Sequence, residues 1–178
     1  MGITIIGCGG VGSNLAQMFV RQNSTDAITL VDFDIVEPKN IARQFFFKEQ
    51  IGMKKTEALK QNLLKINPEM SITTYDMKIE DKMDLILFNK TDLLILATDN
   101  LKSKIMIAEN FEHTAIINCE KDMFEVYRKP KNADKKAWII DSGYNSTQTY
   151  NSNMRACLYM LDEWTVRGIL WNDTVKKI

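Results

Sequence analysis

The amino-acid sequence predicts an α/β fold with a mostly parallel sheet and helices on both faces, on two observations. First, short apolar runs without polar alternation occur at Ile3–Ile6, Ala27–Val31 and residues 92–97 and 115–118, as in strands buried on both faces. Second, a glycine-rich turn and a helical pattern separate the first two of these runs. This alternation is typical of a Rossmann-like, doubly wound sheet.

The predicted elements follow one another along the chain. Residues 11–21 carry apolar side chains at positions 11, 15, 18 and 19, the spacing of one helical face. Residues 34–44 are irregular, with Pro38 as a breaker and a short helical piece after Asn40. A helix over 54–66 is stopped by Asn67-Pro68, and a strand over 71–75 follows. After the strand at 92–97, either Asp99 or Asn100 caps a helix that runs to about residue 111.

The alternation ends after residue 120. Residues 123–128 and 137–141 predict two strands around a turn rich in lysine and asparagine, and 141–153 predict a polar loop. Residues 154–171 have the pattern of an amphipathic helix. No repeat or linker interrupts the chain. We therefore expect one domain over residues 1–178, with a core over 1–120 and an irregular or antiparallel C-terminal third.

Composition narrows the functional classes. The 178 residues contain 23 basic and 23 acidic side chains, a balance that argues against nucleic acid as the main partner. Three scattered cysteines without a CxxC pair, and one histidine, predict neither a disulfide framework nor a zinc site. The sequence shows no signal peptide and no apolar run of about 20 residues, so we expect a cytoplasmic protein that does not enter the membrane.

A glycine motif, G-x-G-x-x-G, connects the first strand to the first helix. Gly7 permits the tight turn, Gly9 lets the backbone approach a phosphate, and Gly12 lets helix and strand pack closely; Gly10 lies between them. The helix N-terminus attracts an anion. Asp32 follows twenty residues after Gly12, at the end of the second strand, where a carboxylate accepts hydrogen bonds from ribose hydroxyls. The motif therefore predicts nucleotide binding.

Polar and charged side chains follow at the carboxyl edge of the predicted sheet, and they favour a triphosphate over a dinucleotide. This edge is where open α/β sheets bind ligands. A triphosphate with about four negative charges needs cations around it, whereas a hydride-transfer cofactor does not. Asp99 is a hard oxygen ligand, suited to Mg²⁺ or to the reacting centre. The residues are Asp34, Glu37, Asn40, Arg43, Gln44, Lys55, Asp99 and Asn100.

Structural roles remain open for several of these residues. Lys55 also suits a solvated helix position, and Arg43 a surface ion pair. Asp34 and Glu37 also suit loop anchors, and Gln44 a local hydrogen bond.

Four blocks resemble the ThiF/MoeB superfamily, which includes the ubiquitin-activating enzymes. They are GCGGVGSNLAQ, LVDFDIVEPKNIARQ, IGMKKTEALKQNLLKINP and ILATDN, in that order. The resemblance implies ATP-dependent adenylation of the C-terminal carboxylate of a ubiquitin-like or sulfur-carrier protein by a homodimer. It also implies that Gly7, Gly9 and Gly12 form the phosphate turn and Asp32 holds the ribose. Asn40, Arg43 and Lys55 would contact phosphates, and Asp99 would lie by the α-phosphate with Mg²⁺.

The sequence departs from the family pattern in three ways. It lacks the two CxxC pairs of many relatives, so we expect no zinc. The arginine that relatives supply to the partner subunit from an extra first helix would have to be Arg21, Arg128 or Arg155. Cys119 is the candidate for a later thiol step, although a buried cysteine at a strand end fits it as well. Residues 141–149 resemble a stretch of short stand-alone ThiF-like proteins.

Two other functions remain open on the sequence. One is a catalytically inactive partner subunit that binds ATP or AMP. The other is an NAD-dependent oxidoreductase, for which only His113 is available as a histidine proton relay.

Overall fold

A computed structural model describes residues 2–23, 25–88, 92–111, 114–120 and 123–128, with side chains as far as Ile117. The strand predicted over 137–141, the loop over 141–153 and the helix over 154–171 lie outside the described residues, as do His113 and Arg155. No helix in the described ranges is long and apolar enough to cross a membrane.

The sheet has six described strands in the order β3-β2-β1-β4-β5-β6. They are β1 (Ile3–Ile6), β2 (Ala27–Val31), β3 (Ser71–Tyr75), β4 (Leu93–Leu96), β5 (Thr114–Glu120) and β6 (Met123–Arg128). The first five are parallel, and β6 pairs antiparallel with β5. The predicted Rossmann-like fold, mostly parallel and antiparallel at its C-terminal end, is confirmed over these residues.

Three helices connect these strands: α1 (Gly12–Gln22), α2 (Lys55–Ile66) and α3 (Leu101–Asn110). Each lies within one residue of its predicted bounds. The open choice at the start of α3 is resolved in favour of Asn100, whose side chain accepts a hydrogen bond from the Ser103 backbone N–H at 3.1 Å.

The sheet separates two apolar cores because successive strand side chains point to opposite faces. On one face, Ile3 and Ile5 of β1 pack in a cluster with Leu15 and Phe19 of α1 and Leu59 of α2. On the other face, the cluster contains β-strand residues such as Ile6 and Leu96 together with Ile107 of α3. Burial on both sides explains why β1 and β4 are apolar except for Thr4.

Strand register brings three chain segments level at the carboxyl edge. Ile6, the last residue of β1, pairs with Val31 of β2 and Leu96 of β4. The residues that follow, Gly7, Asp32 and Ala97, therefore emerge side by side. The strand order reverses at β1, which is the position where doubly wound sheets open a crevice.

The prediction for the segment after β2 was wrong in detail. Pro38 does not break a helix but begins one, a 3-10 turn over Pro38–Asn40 that precedes the position predicted for a helical piece. The fixed φ of proline suits the first position of a helix, where its missing N–H is not needed. Two further 3-10 helices, Lys48–Gln50 and Lys82–Leu87, were not predicted.

Candidate functional site

A cleft of about 680 Å³ opens at the carboxyl edge of β1, β2 and β4. Its size is that of a small-molecule site. The cleft brings together the glycine turn, the segments after β2 and β4, and the start of α2. It contains every predicted cofactor-binding residue except Gly12: Gly7, Gly9, Gly10, Asp32, Asp34, Asn40, Arg43, Gln44, Lys55, Asp99 and Asn100.

Gly7, Gly9 and Gly12 differ in the structural reason for having no side chain. Gly7 has a φ of +97°, and a Cβ there would lie 2.7 Å from backbone atoms of Ala97 and Thr98. Gly12 has no room for a Cβ because the carbonyl oxygen of Gly7 occupies that space. The tight turn at Gly7 and the close packing at Gly12 are therefore confirmed.

Gly9 is different, because neither its backbone conformation nor its neighbours exclude a side chain. A Cβ at residue 9 would meet no atom within 4 Å, and Gly9 has no positive φ. Gly9 nevertheless lines the cleft. The described part of the chain thus offers no internal reason for a glycine at this position, whereas a ligand that touches the backbone would supply one.

Each carboxylate oxygen of Asp32 accepts a hydrogen bond from a backbone N–H. Its Oδ2 accepts from the Cys8 N–H at 2.7 Å, and its Oδ1 accepts from the Asp34 N–H at 2.8 Å. Burial raises the pKa of the Asp32 carboxyl above its ordinary value, against the opposing effects of the Lys55 charge and of both hydrogen bonds. A carboxylate keeps further lone pairs beyond these two bonds, so Asp32 can still accept from a ligand hydroxyl.

Lys55 is buried, with 7% of the residue exposed, and Asp34 contacts both its backbone and its side chain. The Lys55 backbone N–H donates to the Asp34 carbonyl at 2.9 Å, and Nζ forms an ion pair with Asp34 Oδ2 at 2.8 Å. The short pairing of Ile35 with Lys54 aligns these two segments. A solvated helix position is therefore excluded for Lys55, and Asp34 serves as its anchor.

The segment over residues 40–44 supplies amide and guanidinium groups to the cleft. Asn40 is buried, and its Oδ1 accepts from the Glu37 N–H at 2.8 Å, which closes the 3-10 turn. Arg43 is half-buried and lines the cleft. Gln44 is 7% exposed, and its Oε1 has no hydrogen-bond partner among the described residues. The Gln44 Oε1 therefore makes no local hydrogen bond within the described part of the chain.

Asp99 and Asn100 follow β4 but differ in role. Asp99 is exposed and lines the cleft, whereas the Oδ1 of Asn100 is engaged in capping α3. Within the described residues, no three histidine, cysteine, aspartate or glutamate side chains cluster as a metal site. The exposed Asp99 carboxylate offers one hard oxygen ligand at the cleft.

Sequence reasoning missed one wall of the cleft. Phe33, Met77 and Ile79 contribute apolar surface there, and Lys78 lies 5.9 Å from the centre of the Phe33 ring. Residues 77–79 follow the carboxyl end of β3, so the rule that located Asp32 and Asp99 would also have pointed to them.

Among the described side chains, neither Cys8 nor Arg21 lines the cleft. Cys8 is fully buried, and burial together with the Asp32 charge raises the pKa of its thiol, which disfavours the nucleophilic thiolate. Cys119 lies within β5 rather than at its end, and its side chain is outside the description. Arg21 is exposed in the last turn of α1, at the opposite edge of the sheet from the cleft.

Residues 1–127 match the family model described as "ThiF family". The chain belongs to the ThiF family. Curated relatives include ubiquitin-like modifier-activating enzyme 5 of Oryza sativa subsp. japonica, 43% identical over 77 residues, which are 43% of this chain and 18% of that protein. The enzyme of the same name from Drosophila pseudoobscura pseudoobscura is 36% identical over 118 residues, 65% of this chain and 30% of that protein. The ThiF-family chain thus spans less than a third of either relative.

Solved structures of similar fold include E. coli MccB with MccA-N7isoASN, at a TM-score of 0.78 and 20% identity, covering 98% of this chain and 62% of MccB. MccB with ATP gives a TM-score of 0.75 at 23% identity, covering 98% of this chain and 61% of that one. E. coli TcdA in complex with ATP gives a TM-score of 0.54 at 26% identity, covering 61% of this chain and 45% of TcdA. The likeness to MccB establishes the fold.

Proposed function

We propose that this chain is an ATP-dependent adenylyltransferase that activates the C-terminal carboxylate of a ubiquitin-like or sulfur-carrier protein. The observation that carries the proposal is the unfilled space at Gly9 in a cleft that also contains Arg43 and Lys55. A backbone surface kept free of side chains, in a cleft that Lys39 and Lys78 line as well, suits a polyphosphate. Membership of the ThiF family, with curated relatives named as activating enzymes, supports the reaction class.

The residues of the cleft support one orientation for ATP. The glycine turn and the N-terminus of α1 receive phosphates, because unpaired N–H groups and the helix dipole favour negative charge there. Asp32 accepts from the ribose hydroxyls. Phe33, Met77 and Ile79 provide the apolar surface on which a base packs.

Asp99 is the residue that would hold Mg²⁺. Its carboxylate is exposed at the cleft and is a hard oxygen ligand. Mg²⁺ is usually bound through one or two carboxylates together with substrate phosphates and water, so a single carboxylate fits this metal. The ion would neutralise part of the negative charge on the phosphates.

The proposed chemistry is an in-line displacement at the α-phosphorus. A carboxylate oxygen of the carrier forms a bond to the α-phosphorus, and the bond from phosphorus to the pyrophosphate oxygen breaks. Arg43 and Lys55 stabilise the charge that develops on the phosphate oxygens. Asp34 fixes the Lys55 ammonium in position, so that little reorganisation is needed when the charge develops.

Of the remaining features of the proposal, the homodimer and the partner's arginine follow from the family, and the others follow from the sequence. The chain acts as a homodimer, as a single domain over residues 1–178, in the cytoplasm and without zinc. An arginine supplied by the partner subunit would be Arg21, Arg128 or Arg155. Arg21 is at the opposite edge from the cleft of its own chain, so it could serve only a partner.

Exchange of labelled pyrophosphate into ATP tests the proposal. Purified ubiquitin-like and sulfur-carrier proteins are added in turn, each with a control whose C-terminal carboxylate is amidated. We expect exchange with one free carrier, none with its amide, and a loss of at least about 100-fold in Arg43→Ala. Binding of ATP or AMP without exchange for any carrier would favour an inactive partner subunit. NAD binding that Arg43→Ala leaves unchanged would favour an oxidoreductase.

A further inference from the structure

Two polar side chains in the first turn of α1 lie directly behind the cleft. Ser13 and Asn14 follow Gly12, and they are 0% and 4% exposed. Neither lines the cleft, so neither is placed to contact a ligand. Buried polar groups cost free energy unless they are hydrogen-bonded, which makes their partners informative.

Asn14 joins two segments that are far apart in sequence. Its Nδ2 donates to the Gly10 carbonyl at 2.7 Å and to the Arg43 carbonyl at 2.9 Å. Its Oδ1 accepts from Gln17 at 3.2 Å. One amide group therefore connects the glycine turn directly to the backbone of the arginine.

Ser13 makes a parallel connection. Its hydroxyl donates to the Gly9 carbonyl at 2.6 Å and accepts from the Phe45 N–H at 3.0 Å. Four hydrogen bonds from adjacent side chains thus fix residues 43 and 45 against residues 9 and 10. Because a trans peptide is planar, holding the Gly9 carbonyl towards α1 also directs the N–H of Gly10 away from it.

We infer that Asn14, supported by Ser13, is a positioning residue that sets the distance between the phosphate turn and Arg43. The inference rests on the proposed function, because it requires that both elements bind the same polyphosphate. When two groups bind the same ligand, the affinity for that ligand falls if the distance between the groups is no longer fixed, even if each group is intact. Asn14 acts through Arg43 and makes no ligand contact of its own.

A double-mutant cycle on Mg–ATP binding tests the inference by calorimetry. We expect Asn14→Ala to weaken Mg–ATP binding by about tenfold in the natural protein, and by less than about twofold in an Arg43→Ala background. Binding of adenosine, which has no phosphate, should not change. An effect that persists undiminished with Arg43→Ala, or that is equal for adenosine, would overturn the inference.

Two further variants separate positioning from loss of structure. Gln17→Ala removes only the bond to Asn14 Oδ1, so it should bind Mg–ATP normally. Asn14→Leu keeps the approximate size and adds no charge but loses both N–H donors, so it should bind as weakly as Asn14→Ala, and normal binding would contradict the inference. If Asn14→Ala does not fold, Asn14→Leu takes its place in the cycle. Failure of the natural protein itself to bind Mg–ATP would instead refute the proposed function.

Discussion

At the scale of single residues, the three glycines of one motif show that the same residue type serves different ends. Gly7 is required by its positive φ, and Gly12 by the adjacent Gly7 carbonyl. Gly9 is required by neither. The motif predicted a role for each of the three glycines. Only the structure shows that Gly7 and Gly12 are needed by the fold itself, whereas Gly9 points to a ligand.

Gly9→Ala is therefore expected to abolish a ligand contact without harming the fold. The melting temperature should stay the same or rise slightly, since alanine restricts the unfolded chain and finds free space. Mg–ATP affinity should fall by at least about tenfold. Thermal unfolding and calorimetry measure the two effects. Gly12→Ala is the control, because its clash should destabilise the protein; equal destabilisation by both variants would contradict this account.

The raised pKa of Asp32 predicts a pH dependence of stability. A folded-state pKa above the unfolded value means that the ionised carboxylate opposes folding, so stability is lost as pH rises from about 4 through the folded pKa. Asp32→Asn has no such titration. The free energy of unfolding of Asp32→Asn minus that of the natural protein should therefore increase with pH over this window. Denaturant unfolding at several pH values measures it, and a decrease would show that the carboxylate stabilises the fold.

At the scale of elements, the sequence located most helices and strands but not the contacts between loops. Periodicity and caps are local signals, and they placed α1, α2 and α3 within one residue. The pairing of Ile35 with Lys54 depends on two segments some twenty residues apart, and no local pattern encodes it. For this reason the sequence left Asp34 open between ligand binding and a loop anchor; the structure shows it anchoring Lys55 at the cleft, and its ligand contact stays a prediction.

Asp34→Asn tests that anchoring. Lys55 is buried and would lose its charged partner, so the free energy of unfolding should fall by about 1–2 kcal/mol. Mg–ATP should restore part of this loss, because phosphate oxygens can replace the carboxylate. Denaturant unfolding with and without Mg–ATP measures both effects.

Asp76→Asn provides the matched control for Asp34→Asn. Its carboxylate pairs with Lys54 at 3.0 Å, but both side chains are well exposed. Such pairs contribute little, so a change below about 0.5 kcal/mol is expected. An equal loss in both variants would contradict a special role for Asp34.

At the scale of the whole molecule, sheet order explains why one cleft collects residues from position 6 to position 103. Strands β1 and β4 are neighbours although 86 residues separate Ile6 from Leu93. The crevice forms where the strand order reverses, and it receives the segments that follow β1, β2, β3 and β4. The sequence predicted this edge because motif residues follow β1, β2 and β4. It did not predict the internal bonds that link the glycine turn to residues 43–45.

The central claim is that this cleft binds a triphosphate, and one calorimetric titration tests it most directly. The natural protein is titrated with Mg–ATP and, separately, with NAD. The account predicts that Mg–ATP binds in preference to NAD, and that Arg43→Ala weakens Mg–ATP binding. Preference for NAD, or Mg–ATP binding that Arg43→Ala leaves unchanged, would contradict it.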